Sequence, residues 1–174
     1  MTGSSQKKQI NDQLDGVLGG RKHDYHLRVQ YEDTDAGGIV YHAQYLAFAE
    51  RARSAWLRCL GIDQPRLLSE DQQAFIVRHI DIDFVQAASL GDVLAVTSEL
   101  VKMGGASVKL RQIITNMQFC HIVARLVVDI GFVNLQRAGM ARACRMPRGV
   151  RDKLTGKERG PMVKVYVSGG CSSL

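Results

Sequence analysis

Residues 31–61 read YEDTDAGGIVYHAQYLAFAERARSAWLRCLG, and the rest of the chain is arranged around this stretch. It opens with a polar turn. Asp33 and Asp35 precede the glycine pair Gly37 and Gly38, and Ile39, Val40, Tyr41 and His42 follow. The spacing then predicts a helix from Gln44 to Leu60. Tyr45, Phe48, Ala49, Ala52, Ala55, Trp56, Cys59 and Leu60 recur at intervals of three and four, which puts them on one helical face. Glu50, Arg51, Arg53 and Arg58 fall off that face. Gly61 ends the helix, because glycine takes the left-handed conformation without a Cβ clash. The alanines are small enough to let the helix lie close against a sheet.

The chemistry of the turn is local. A carboxylate sits on a glycine-rich loop that leads into a helix N-terminus, where backbone N–H groups lack intrahelical acceptors. Such donors polarise a carbonyl or hold an oxyanion. The carboxylate can attack directly or activate water. The same residue types also build plain turns, so the pattern alone leaves both readings open.

The run 33–46, DTDAGGIVYHAQYL, resembles the signature of hotdog-fold acyl-CoA thioesterases. Within the 4-hydroxybenzoyl-CoA thioesterase-like family it is most similar to the Tol–Pal-associated acyl-CoA thioesterases of bacteria. The resemblance extends in element order over residues 25–137. It implies an acyl-CoA thioester hydrolase in which the second aspartate, Asp35, is the catalytic carboxylate, as nucleophile or as general base. It places the thioester oxygen at the N–H of His42, with Tyr41 and Gly38 beside the substrate. A histidine at position 42 leans toward the Tol–Pal branch. The resemblance also implies a homodimer or homotetramer with the active site at the dimer interface. Coenzyme A enters as part of the substrate, so no separate cofactor and no metal are expected. One departure stands at Gln86, where the family usually has proline. Glu50 is a second carboxylate candidate on the helix. Alternatives are an acyl-carrier-protein thioesterase, to which a basic tail would be suited, and a non-enzymatic acyl-CoA-binding module.

Outward from this stretch, Tyr25, Leu27, Val29 and Tyr31 alternate with polar residues and predict a half-buried strand. Residues 1–23 are polar, with a weak apolar beat at Ile10, Leu14, Val17 and Leu18 that suits one short helix, and are expected to form a flexible extension. Downstream, Asp63 and Pro65 suit the start of a short helix, which Leu67 and Leu68 would seal onto the body. Four strand-like runs follow, at about 75–85, 92–102, 107–117 and 119–135, and Gly104-Gly105 marks a hairpin. Asp81 and Asp83 share a face that suits solvent or a subunit contact. One strand, one long helix and four strands in meander-like order give an α+β domain over residues 24–155. Its antiparallel sheet would curl around the central helix, which is the hotdog arrangement that the resemblance implies. PRGVRDKL, residues 147–154, predicts a short closing helix.

Length and composition bound the rest. The chain has 174 residues, 45% of them apolar, which fits one globular domain. No run approaches the roughly 20 apolar residues of a membrane helix, and the N-terminus lacks the apolar core of a signal peptide. The cytoplasm is expected, with no nucleic-acid partner and membrane contact at most peripheral. Cys59, Cys120, Cys144 and Cys171 form no C-x-x-C pair and are expected as reduced thiols. The net charge of +6 belongs to the C-terminal end. From Arg137 onward nine lysines and arginines face only Asp152 and Glu158, and residues 156–174 make a basic tail. Such a tail could meet ligand phosphates, an anionic membrane or an acidic carrier protein, or stay solvated.

Overall fold

The structure, a computed structural model, describes residues 14–135 and 140–156. Seven strands and three α-helices are present among them. In chain order these are β1 (Val17–Gly19), β2 (Lys22–Arg28), α1 (Gln44–Cys59), α2 (Gln64–Asp71), β3 (Gln73–Phe84), β4 (Val93–Met103), β5 (Ser107–Asn116), β6 (His121–Asn134), β7 (Arg142–Ala143) and α3 (Arg148–Thr155). All pairings are antiparallel, in the order β1-β2-β4-β5-β6-β3, with β7 added on β6. One face of the sheet packs on α1. Phe48, Ala49, Ala52 and Trp56 meet Leu94, Val96, Leu110, Ile114, Leu126 and Phe132 in a single core. This is the α+β arrangement of a sheet around one long helix.

The sequence locates α1 to within a residue, and Ala49, Ala52 and Ala55 are fully buried where the helix lies close to the sheet. Asp63 caps α2 by accepting from Arg66 N–H at 3.1 Å, and Pro65 stands in its first turn. Leu67 packs on the core, whereas Leu68 is left exposed.

Four expectations need correction. Arg53 is buried rather than off the apolar face, because Gln112 and Glu50 accept from its guanidinium. The four long strands are not a simple meander: β4, β5 and β6 are, but β3 crosses to the far edge and pairs with β6. The sheet begins before residue 24. Val17 and Leu18 belong to a strand, and Gly16 breaks any helix there at φ +79°, where a Cβ would meet the Asp24 carbonyl oxygen at 2.2 Å. Lys22 and His23 continue into β2, which stops at Arg28, so Tyr31 leaves the strand for a short 3₁₀ turn. Finally, Cys59 and Cys144 are thiols, but Cys120 is disulfide-bonded and sits in the β5–β6 turn. Ile10, Cys171 and the tail from residue 157 lie outside the described residues. Among the described residues no helix is long and apolar enough to cross a membrane.

Candidate active site

The loop between β2 and α1 is held by the chain that follows β3. Val40 N–H donates to the Ala88 carbonyl (2.8 Å), and Ala88 N–H donates back to the buried Tyr45 hydroxyl (3.2 Å). Ile39 bridges to Ser89. Two segments nearly fifty residues apart thus fix one another beside the first turn of α1. Burial pushes the Tyr45 phenol up, partly offset by the bond from Ala88. Gln86 donates its N–H to the Val123 carbonyl (3.1 Å), a bond that proline at this position would lack.

Asp33 and Asp35 have different surroundings. Asp33 is 1% exposed, and its Oδ2 accepts from Gln30 N–H at 2.8 Å. Its carbonyl accepts from Tyr41 N–H at 2.9 Å. Asp33 therefore organises the loop from inside. Asp35 is exposed on the turn that Gly38 closes, with Gly38 N–H donating to the Asp35 carbonyl at 3.0 Å. Its Oδ1 accepts from Gly37 N–H at 2.8 Å, and Oδ2 has no hydrogen bond among the described residues. Gly38 takes φ +76°, a backbone that strains other residues. The carboxylate is thus held by one oxygen and offered by the other.

The start of α1 supplies the donors. Ala43 is the N-cap residue and makes no side-chain cap, so His42 does not serve as one. Gln44 N–H reaches the Tyr41 carbonyl and Leu46 N–H the Ala43 carbonyl. Among the described residues the N–H groups of His42 and Ala43 find no acceptor. Tyr41 N–H is committed to Asp33, which narrows the donor expected near Tyr41 to His42 itself. The imidazole of His42 is exposed, 4.3 Å from the Tyr41 ring and 6.4 Å edge-on from Phe84. Asp35, Gly38, Tyr41 and His42 therefore share one exposed loop. Phe84 and the Ala88 anchor come to it from the far side of β3, and no local pattern signals them.

Glu50 and Asp83 belong elsewhere. Glu50 accepts from Arg53, and Asp83 pairs with Arg125 at 3.3 Å on the outer face of the sheet. Arg53 Nη1 donates to Gln112 Oε1 at 2.7 Å, and Gln112 Nε2 donates to the Ala49 carbonyl and to Ser98 Oγ. Glu50, Arg53, Trp56, Leu57, Phe75 and Val77 border a small cavity of about 50 Å³ toward the other end of the helix. Trp56 Nε1 is buried without a partner.

Comparison with known proteins bears on this geometry. The thioesterase superfamily pattern matches residues 37–118, which includes Gly38, Tyr41, His42 and all of α1 and begins two residues after Asp35. The chain is 41% identical over 125 residues to the acyl-CoA thioesterase YbgC of Haemophilus influenzae, covering 72% of this chain and 88% of that protein. It is 45% identical over 92 residues to the acyl-CoA thioester hydrolase YbgC of Escherichia coli, covering 53% and 68%. A 1,4-dihydroxy-2-naphthoyl-CoA thioesterase from Synechocystis superposes with a TM-score of 0.73 at 21% identity, over 80% of this chain and 99% of that one. This last likeness is one of fold.

Proposed function

The chain belongs to the thioesterase superfamily, with the hotdog fold, and from that premise we propose that Asp35 and the N–H of His42 carry its hydrolysis of acyl-CoA thioesters. The reaction adds water across the thioester. A C–O bond forms at the acyl carbon, the C–S bond breaks, and the water proton ends on the thiol of coenzyme A. The carbonyl oxygen turns toward the free N–H donors of His42 and Ala43 at the start of α1, where developing negative charge is stabilised by fixed dipoles. Asp35 attacks the carbonyl carbon or takes a proton from the attacking water. The thiolate leaves readily, so a carboxylate and one or two N–H donors suffice. Tyr41, Phe84 and the His42 ring offer an exposed aromatic surface to the substrate. The observation that carries this reading is the pairing of an exposed, singly anchored Asp35 with unengaged amides on the same loop.

A second copy of the chain completes the site. β3 is a twelve-residue edge strand with no fully buried residue, and Ile76, Val77 and Phe84 are exposed on it. A long apolar edge of this kind invites pairing. Antiparallel pairing of two β3 edges about a two-fold axis sets the Phe84 end, with Asp35 and His42, near the partner's Phe75–Val77 end and its cavity. The native chain is expected to sediment as a dimer or larger, and a monomeric mass would refute this.

Hydrolysis of a panel of short, long and aromatic acyl-CoAs by the native chain and by Asp35→Ala tests the assignment. Loss of 10²–10⁴ in kcat with the fold intact supports Asp35, in the range expected of a lost general base. Equal rates from both chains would remove Asp35 and turn attention to Glu50.

A further inference from the structure

We propose that the buried hydroxyl of Tyr45 is a positioning group for hydrolysis, which aims the His42 N–H at the thioester oxygen by way of Ala88. The inference rests on the assignment of that N–H and of Asp35 to the reaction. Tyr45 is 4% exposed in the first turn of α1, three residues after His42. A buried phenol needs a hydrogen-bond partner. Tyr45 finds one in the Ala88 N–H, 43 residues along the chain, at 3.2 Å. The Ala88 carbonyl in turn accepts from Val40 N–H at 2.8 Å. Ala88 is thus bonded to the helix through its amide and to the Asp35 loop through its carbonyl. The loop backbone is gripped at two successive amides, Val40 N–H by Ala88 and Tyr41 N–H by the Asp33 carbonyl at 2.9 Å. The next amide, that of His42, finds no acceptor among the described residues. Its direction follows from the two before it, because planar peptides leave only two soft dihedrals per residue.

Packing does not supply this direction. The Val40 side chain is buried and holds the loop down, but apolar burial is non-directional. Ala88 buries only a methyl group, and its neighbours Ala87, Ser89 and Leu90 are exposed. Before Ala88 the segment is tied to the sheet by the N–H groups of Val85 and Gln86, which both donate to the Val123 carbonyl. After it, Ser89 N–H donates to Asp92 Oδ2 at 2.9 Å. Between those ties, among the described residues, the Tyr45 hydroxyl makes the one hydrogen bond that joins the segment to α1. The ring of Tyr45 serves separately. It lies 6.1 Å from Phe48 and 5.7 Å from Phe84, and Phe84 stands 6.4 Å from His42. Phenylalanine at position 45 would keep those contacts and lose only the acceptor. Burial pushes the Tyr45 phenol up from its ordinary value of 10.0, so it is neutral near pH 7 and acts there as an acceptor rather than a proton carrier.

Steady-state hydrolysis of one acyl-CoA by the native chain, Tyr45→Phe and Asp35→Ala tests it. Val128→Ala, a truncation at a fully buried position on β6, controls for lost stability. Tyr45→Phe should lose about tenfold in kcat with KM within about twofold of native. That is less than the 10²–10³ of removing an oxyanion donor outright, because the donor is displaced and not lost. Amide hydrogen exchange at Val40 should speed about tenfold in the same variant. Val128→Ala should lower the melting temperature and keep native kcat. A Tyr45→Phe chain with native kcat, or with a raised KM alone, overturns the proposal. So does a kcat loss that Val128→Ala shares, or one without faster exchange at Val40. A native rate in Asp35→Ala overturns the hydrolytic reading and this inference with it, whereas loss in Asp35→Ala beside native kcat in Tyr45→Phe overturns this inference alone. Should Tyr45→Phe not fold, exchange in the native chain decides. Val40 and Ala88 amides that open at one common rate support the shared latch, and rates more than about tenfold apart overturn it.

Discussion

Replacing Gln112 by leucine should destabilise this protein by about 3–5 kcal/mol, although the change is nearly volume-conserving and adds apolar surface. Gln112 is fully buried on β5. Its Oε1 accepts from Arg53 Nη1 at 2.7 Å, and its Nε2 donates to the Ala49 carbonyl at 3.0 Å and to Ser98 Oγ at 2.9 Å. Leucine satisfies none of them. A hydrogen bond to a charged group is worth roughly 1.5–3 kcal/mol, and each neutral group left buried without a partner adds about 1 kcal/mol or more. Arg53, 5% exposed, would keep only Glu50. Urea unfolding is the assay: the midpoint should fall with the slope unchanged, and the melting temperature should drop by about 10 °C. The double variant Arg53→Met, Gln112→Leu should regain much of the loss, since removing both partners leaves no buried charge unpaired. A single variant within about 1 kcal/mol of native, or a double variant no better than the single, would refute the claim that this network holds α1 on the sheet.

Two further outcomes follow from the same geometry. Gly38→Ala meets no atom within 4 Å but forces an alanine to φ +76°, so it should cost about 1–2 kcal/mol. Because Gly38 closes the turn bearing Asp35, kcat should also fall, by roughly 10- to 100-fold; native kcat with native stability would show the turn to be incidental. His23 is buried, its Nε2 bonds the Asp15 carbonyl at 2.6 Å, and its Nδ1 is buried without a partner. Burial holds its pKa below 6.5, mainly by desolvation. The unfolded chain therefore takes up this proton at a higher pH than the folded chain. Stability from this group is complete above pH 6.5 and declines as the pH falls from there toward the folded value, with a slope of at most about 1.4 kcal/mol per unit. His23→Gln should flatten the pH dependence of the urea midpoint over that range, and an unchanged slope would exclude His23 as its source.

The Asp35 loop was legible because its parts are adjacent in sequence. A carboxylate, two glycines and a helix start within ten residues interact at short range, and a chain has few ways to connect them. Its supports were not legible. Ala88 and Phe84 reach the loop only after β3 has run the length of the sheet, and their identities give no hint of this.

By itself the sequence determined what operates within a turn or two. The 3.6-residue period set α1, Asp63 set the start of α2, the paired glycines 104 and 105 set a hairpin, and period-two alternation found most of the strand segments. Each of these depends on backbone propensity and side-chain spacing over a few residues. The tertiary structure decided which strands pair and which charges lie inside. β3 pairs with β6 because strand order is set by whole faces covering one another, and adjacency in sequence is only one influence on it. Arg53 is buried because Gln112, 59 residues away, meets its charge. Sequence periodicity assigns a charged side chain to solvent, since desolvation without a partner is costly. Only the folded chain shows where that cost is offset.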